Sequence, residues 1–533
     1  NVLNTSSRAL RKYGISDETL LFLEQIDPSV KLILNVAGIP YALGRCSGLD
    51  HLDAVILSHR DDSLYQELAL QAIFGGASFS GRMPVTAGSY VAAGEGVATG
   101  PATRLGYASP LDVGLHPDTL LKMEEIINHA LKEKAMPGCQ VLVARRGKVV
   151  WHRTYGYHTN QNKRPVEPDD IYDLASITKM VSITAALMRL HDQGKFHEDS
   201  LMGDYEPIPD SCNKAELLVA DVLAHQSGMI AWIPFYYETL EPLDSSQTLI
   251  SSTSSRTHPL KIGEGAYFNR HVKYVDSLYQ NTYSPEFPYQ VADHLYMRAD
   301  WKDTIYKRIY DSELISREYC YSGLGFYMFQ QIIETATDTM LYPYVWHNFY
   351  NPMGAHSLGY KPLSRFPRER IVPTEDDMFY RRRLLQGDVH DMGAAMLGGI
   401  SGNAGLFGNA NDLAKMMQMF LNGGAYGQRR YIQEATLNLY TSCYNCEEEN
   451  HRGFGFNKPV FWEEDAGPSC NSASPLSFGH SGFTGTMAWA DPAYELVYIF
   501  LSNRVHPDMG NNLLIDMNVR TDVQQVVYNA LME

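Results

Sequence analysis

Several things are scarce in this chain, and each scarcity removes a class of function. No stretch has the length and apolarity of a membrane span. Lys and Arg number 44 against 61 Asp and Glu, a net charge of -17, so no basic surplus exists to neutralise nucleic-acid phosphates and nucleic acid is excluded as the principal partner. Cysteines number seven, odd and scattered, which is not a disulfide framework. Cys443 and Cys446 form a Cys-x-x-Cys without a second pair at zinc-site spacing, so a structural or incidental role is expected and no metal site. Gly94 and Gly96 do not complete a dinucleotide fingerprint, and no cofactor is called for. There is no initiator methionine and no signal-like run ahead of Asn1, so the chain reads as a piece of a longer or processed product.

At 533 residues the chain is too long for one ordinary core, so two or more domains are expected. From Asn1 to about Ala98, Val30 to Ala37 and Ala54 to Ser58 are apolar runs suited to a buried parallel sheet, and Ser63 to Phe74 reads as a helix. Residues 99–113, in a stretch rich in Gly, Ala, Pro and Thr, read as a linker. A second domain, 114–533, opens with helical periodicity over Pro117 to Lys134. Gln140 to Ala144 and Lys148 to Tyr155 then flank Arg145-Arg146-Gly147 as a hairpin. Near the end, Gly485 to Ala490 and Glu495 to Leu501 read as strands and Thr521 to Met532 as a helix. A sheet assembled from both ends of the domain and covered by helices follows.

The stretch with most chemical content is Ser176-Ile177-Thr178-Lys179, followed by an apolar run to Leu190 that leaves almost no polar face. On a helix, residues three apart share a face, so serine and lysine can touch. The positive helix N-terminus favours an alkoxide, a route to a serine nucleophile without histidine. Spacing alone is weak evidence. Ser211-Cys212-Asn213-Lys214 has the same spacing but follows the turn-rich Pro207 to Asp210, which argues against a buried helical pair.

Further motifs occur in order: Leu223-Ala224-His225-Gln226-Ser227-Gly228-Met229, Tyr321-Ser322-Gly323, Val389-His390-Asp391, Gly405-Leu406-Phe407 and Gly479-His480-Ser481-Gly482-Phe483-Thr484-Gly485-Thr486. With the Ser176 tetrad they resemble the serine β-lactamase and penicillin-binding-protein superfamily, in its class C-like branch of esterases and peptidases. That resemblance implies a β-lactamase/transpeptidase-like domain, an antiparallel sheet flanked by helices. It implies Ser176 as acylated nucleophile, Lys179 as its base or relay, and Tyr321 as a general base. His480 would stand in the place of a lysine on an edge strand, and Ser481 and Gly482 would line the substrate. The N–H groups of Ser176 and Phe483 would form the oxyanion hole. His225, His390 and Asp391 read as scaffold near the cleft.

Two departures from the family pattern set the expected substrate. Gly323 replaces a side chain that could hold a substrate amide, and neutral His480 weakens a carboxylate anchor, so an esterase is preferred to a β-lactamase or D-Ala-D-Ala carboxypeptidase. The aromatic-rich insertion 230–319, with Phe235, Tyr236, Tyr237, Tyr267, Phe268, Trp301, Tyr306 and Tyr310, is expected to be a partly helical roof over the site.

The first hundred residues resemble something else. Leu32 to Tyr41, then Gly75 and Gly81-Arg82-Met83-Pro84-Val85, look like the latter part of the C-terminal α/β domain of family 3 glycoside hydrolases. This implies a partial α/β sandwich continuous with a missing N-terminal glycosidase barrel, in a β-N-acetylglucosaminidase type parent. The same company implies a muropeptide or acyl-sugar substrate and a bacterial periplasm or envelope. A non-catalytic module that holds a wall fragment is the alternative. No carboxylate pair suited to glycoside hydrolysis stands out here.

Overall fold

The computed structural model describes every residue except Asn4, 242–247, Glu264, 447–449, 461–466 and Glu533. It divides into two compact units, Asn1–Ala108 and Ser109–Glu533.

In the first unit, helix α1 (Asp17–Glu24) starts at Ser16, whose side chain accepts from the Thr19 N–H. Strands β1 (Ile33–Ala37) and β2 (Ala54–Ser58) pair in parallel, Ile33 opposite Ala54 and Ala37 opposite Ser58. Helix α2 (Ser63–Ile73), capped by Asp62, follows. Val36, Ala42, Leu43 and Ala87 are among the buried residues of its core.

The second unit begins inside the expected linker. Ser109 caps a helical turn at Pro110–Val113, and Arg145 donates to the carbonyls of Val113 (2.8 Å) and Gly114 (2.7 Å). Composition marked these residues as loop, but a buried arginine docks them. The helix expected over Pro117 to Lys134 is split into Pro117–Leu120 and α3 (Lys122–Lys132). The hairpin is present as β3 (Gly138–Arg145) and β4 (Lys148–Gly156). Its turn has positive φ at Arg146 (51°) and Gly147 (70°), the mirror-image geometry that matches strand twist.

Helix α4 (Ala185–Asp192) is preceded by a π-helical turn over Lys179–Thr184. Next come α5 (Trp301–Asp311), α6 (Leu324–Thr337) and α7 (Ala410–Leu421). The short strands β5 (Arg452–Gly453) and β6 (Phe456–Asn457) precede β7 (Phe478–Ser481), β8 (Met487–Asp491), β9 (Leu496–Ser502) and helix α8 (Val519–Asn529). In this unit the strands run antiparallel in the order β5-β6-β7-β8-β9-β3-β4. β9 joins the two ends of the domain, with Leu496 opposite Arg145 and Ser502 opposite Cys139. Strand alternation sends Val141, Val143, Trp489, Tyr498 and Phe500 into one core with Met123, Ile127, Val523 and Val527 of α3 and α8. Helix α7 packs against β8, β9 and β3, where the small Ala488 and Ala490 give it room.

The insertion is partly helical, as expected, with helical turns at Phe235–Thr239 and Asp276–Leu278 besides an α-helix, and it holds strands as well. Among its described residues it carries one α-helix, α5, and short strands at Ile250–Ser251, Leu260–Gly263, Ala266–Phe268, Tyr279–Gln280, Tyr289–Ala292 and Leu295–Met297; 242–247 and Glu264 lie outside the described residues. Several of its aromatics are core. Tyr236 packs on Phe379 and Tyr380, and Phe268 on Phe379, with ring centroids 5.1–5.9 Å apart. Cys443 and Cys446, for which a structural or incidental role is expected, are joined by a disulfide.

Candidate active site

Ser176 lies in the turn that follows a short strand, Tyr172–Asp173, immediately before the buried helix. Ala175 holds φ at +47°, a left-handed conformation that costs a non-glycine residue about 1–2 kcal/mol. The surroundings enforce it. Thr484 Oγ1 donates to the Asp173 carbonyl (2.8 Å), Thr486 Oγ1 to the Leu174 carbonyl (3.2 Å), and Thr178 Oγ1 accepts from the Leu406 N–H (3.1 Å). Ile177, Met180, Val181 and Ile183 are fully buried, as the all-round apolar run implied.

Lys179 is 2% exposed. Its Nζ donates to Ser176 Oγ at 3.0 Å and to the Asn403 carbonyl at 2.7 Å. Tyr321 Oη lies 2.9 Å from the same Ser176 Oγ. Three residues named from the sequence therefore meet on one oxygen, although Tyr321 is 145 positions from the serine.

His225 sets the position of Tyr321. Its backbone carbonyl accepts from the Cys320 N–H (2.9 Å), its Nδ1 accepts from the Ser322 N–H (3.1 Å), and its ring packs 4.5 Å from the tyrosine ring. Burial first, then the charges of Arg452 and Lys179, lower its pKa well below the usual imidazole value. A neutral ring with Nδ1 as acceptor agrees with that. For Tyr321, burial works toward the neutral phenol, but the Lys179 ammonium, the Ser176 hydrogen bond and the Arg452 guanidinium outweigh it and bring the pKa below the ordinary phenol value.

The second cluster adjoins the serine from β7. His480 is buried, its Nδ1 lies 2.7 Å from the Ser481 carbonyl, and its ring centroid is 6.1 Å from that of Tyr321. Burial, with Arg452 and Lys179, lowers its pKa well below the imidazole norm, so it is neutral. Its strand is not an outer one, since β6 and β5 lie beyond it. Gly482 needs no substrate to explain it. A Cβ there would fall 2.2 Å from Thr486 Oγ1 and 2.6 Å from the Leu174 carbonyl, so the chain's own packing beside Ser176 requires glycine. The Phe483 ring is half exposed, between His390 (5.4 Å) and the Arg504 guanidinium (4.7 Å). Among the described residues, the N–H groups of Ser176 and Phe483 have no acceptor.

His390 and Asp391 build the scaffold. His390 is 3.0 Å from Glu375; burial lowers its pKa, but the Glu375 carboxylate more than offsets this and the net direction is upward. Asp391 Oδ1 caps Met392–Met396 through the Ala394 N–H (2.7 Å). Among the described residues no group of three or more His, Cys, Asp or Glu could hold a metal ion.

Sequence reading missed two residues of the site. Asn403 supplies the carbonyl that holds Lys179, and its side chain stands 3.7–4.0 Å from where a Cβ at position 323 would be, beside the missing side chain of Gly323. The other is Arg452, 4% exposed, with its guanidinium 5.1 Å from the Tyr321 ring centroid. A lone asparagine in a glycine-rich loop and an arginine in a two-residue strand carry no local periodicity to mark them.

A family model described as Beta-lactamase matches residues 123–255 and 278–516. A relative from Escherichia coli (strain K12), named "Putative D-alanyl-D-alanine carboxypeptidase", is 27% identical over 431 residues, 76% of this chain and 86% of its own. The "N-acetylmuramyl-L-alanine amidase" of Bacillus subtilis (strain 168) is 29% identical over 412 residues, 73% of this chain and 81% of its own. Among solved structures, a penicillin-binding protein homologue from Caulobacter crescentus superposes with a TM-score of 0.52 at 17% identity, covering 78% of this chain and 99% of that one; it shares the fold.

Proposed function

Since the chain belongs to the beta-lactamase family, we propose that it hydrolyses an amide of a peptidoglycan fragment through an acyl-enzyme on Ser176. The observation that carries this reading is the convergence of Lys179 Nζ and Tyr321 Oη on Ser176 Oγ, at 3.0 and 2.9 Å. Oγ attacks the acyl carbon while its proton passes to the Tyr321 phenolate, which Lys179 stabilises. The N–H groups of Ser176 and Phe483 receive the oxyanion. Collapse breaks the bond to the leaving amine, which takes the proton from Tyr321. Water then attacks the acyl-enzyme, giving its proton back through Tyr321, and releases acid and free serine.

Two relatives named for amide chemistry put an amide ahead of the ester expected from Gly323 and His480, and Asn403 supplies an amide group beside Gly323. An N-acetylmuramyl peptide is the first substrate to try, by analogy with the Bacillus subtilis relative. A terminal D-Ala-D-Ala peptide is the second, on the name of the Escherichia coli relative. The first unit we read as the closing part of a family 3 glycoside hydrolase C-terminal domain, an idea supported by the parallel β1–β2 pair followed by α2. The Cys443–Cys446 disulfide supports the bacterial envelope as the compartment.

The test is intact mass after exposure to a fluorophosphonate, for the chain and for Ser176→Ala, followed by a panel of muramyl peptide, D-Ala-D-Ala peptide, aryl ester and β-lactam. An adduct on the parent alone, with amine release from a wall amide, is expected. Adduct on neither protein would overturn the acyl-enzyme in favour of a module that only binds.

A further inference from the structure

Two buried cations flank one phenol in this site, and among the described residues neither has a carboxylate partner. Lys179 spends its hydrogen bonds on Ser176 Oγ and the Asn403 carbonyl, both neutral. Arg452 donates from Nε and Nη2 to Tyr319 Oη, at 3.2 and 2.7 Å, and from Nη1 to Asn457 Oδ1, again neutral acceptors. Taking a guanidinium out of water is costly, and the hydrogen-bond partners of this one among the described residues are neutral. The Tyr321 ring lies between the two, its centroid 5.3 Å from Lys179 Nζ and 5.1 Å from the Arg452 guanidinium carbon.

The other groups facing Tyr321 are Ser176, His225 at 4.5 Å and His480 at 6.1 Å between ring centroids. Both imidazoles are neutral, so neither competes with the two cations for negative charge. A phenolate spreads its charge over the ring as well as the oxygen, so a cation against the ring stabilises it beyond its hold on the neutral phenol.

We propose that Arg452 is a positioning residue of this site, a second fixed cation that, held by Tyr319 and Asn457, readies Tyr321 to take the Ser176 proton. Burial keeps it from substrate, and it acts through Tyr321. The inference rests on the acyl-enzyme reading above and deepens it.

The rate of fluorophosphonate labelling of Ser176 against pH tests this in the full chain, for wild type, Arg452→Met and Arg452→Lys. Because the phenolate is the active form, the rate rises with pH. Loss of the charge in Arg452→Met is expected to move that rise up by about one pH unit and to slow labelling below it about tenfold. Arg452→Lys keeps a cation and is expected to stay near the wild-type position. An unmoved rise in a folded Arg452→Met overturns the proposal. Should that variant not fold, Tyr319→Phe, which removes the acceptor of two guanidinium hydrogen bonds, is expected to shift the rise in the same direction by less; no shift there overturns it as well. Failure of the wild type to label would overturn instead the acyl-enzyme reading.

Discussion

Ser176 with Lys179 and Ser211 with Lys214 have the same spacing and equally buried lysines, but different fates. Lys179 is met by a serine oxygen and one loop carbonyl. Lys214 points to the end of α5, donating to the carbonyls of Tyr310 (3.4 Å) and Ser312, while Ser211 is exposed. The last carbonyls of a helix lack partners and carry negative partial charge, so they attract an ammonium more strongly than a hydroxyl does. Three-residue spacing permits a serine–lysine contact; the supply of competing acceptors decides whether it forms.

The largest expected contrast is in acylation. Ser176→Ala should abolish fluorophosphonate labelling, a loss of at least about 10³-fold, and Ser211→Ala should leave it unchanged. If the second variant lost activity, the comparison would fail. Next come the lysines. Lys179→Met should slow acylation by about 10²–10⁴-fold. Lys214→Met should keep the acylation rate and lose about 1–3 kcal/mol of stability by leaving buried carbonyls unpaired, read from a denaturant midpoint. Tyr321→Phe keeps the ring but not the proton acceptor, and a loss of about 10²-fold in kcat is expected with native stability retained.

The smallest effect concerns pH. His225 and His480, beside Tyr321, have folded pKa values below those of the unfolded chain, so on acidification the unfolded state takes up protons first. Their contribution to stability is present above the unfolded imidazole pKa, near 6.5, and is lost as pH falls toward the folded values. The denaturant midpoint should be lower at about pH 5 than at about pH 7, and His480→Gln should blunt that dependence. Lys214 donates to the carbonyls of Tyr310 and Ser312, which do not titrate, and Lys214→Met should leave the pH dependence as it is.

Local pattern carried a good part of the fold. The β3–β4 hairpin, the closing strands β8 and β9, α2 and α8 lie within a few residues of their sequence-based bounds, because alternation, helical periodicity and turn residues are properties of neighbours. Boundaries failed where tertiary contacts ruled, as when Arg145 drew 109–113 out of the linker. Local pattern also did not carry where the insertion packs. Its aromatics pack on Phe379 and Tyr380, more than a hundred positions away, a partnership no local window contains.

The sequence by itself determined that a serine and a lysine share one end of an enclosed helix, that a tyrosine and a His-Ser-Gly segment accompany them in family order, and that the chain carries no basic surplus. Only the tertiary structure decided that Lys179 turns to Ser176 while Lys214 turns to a helix end, that Ala175 is held left-handed, and that Asn403 and Arg452 complete the site. The physical reason is that a side chain's charge state and direction follow from which acceptors and dipoles are packed around it. Those come from residues 145, 227 and 276 positions beyond Ser176, which only the folded chain brings together.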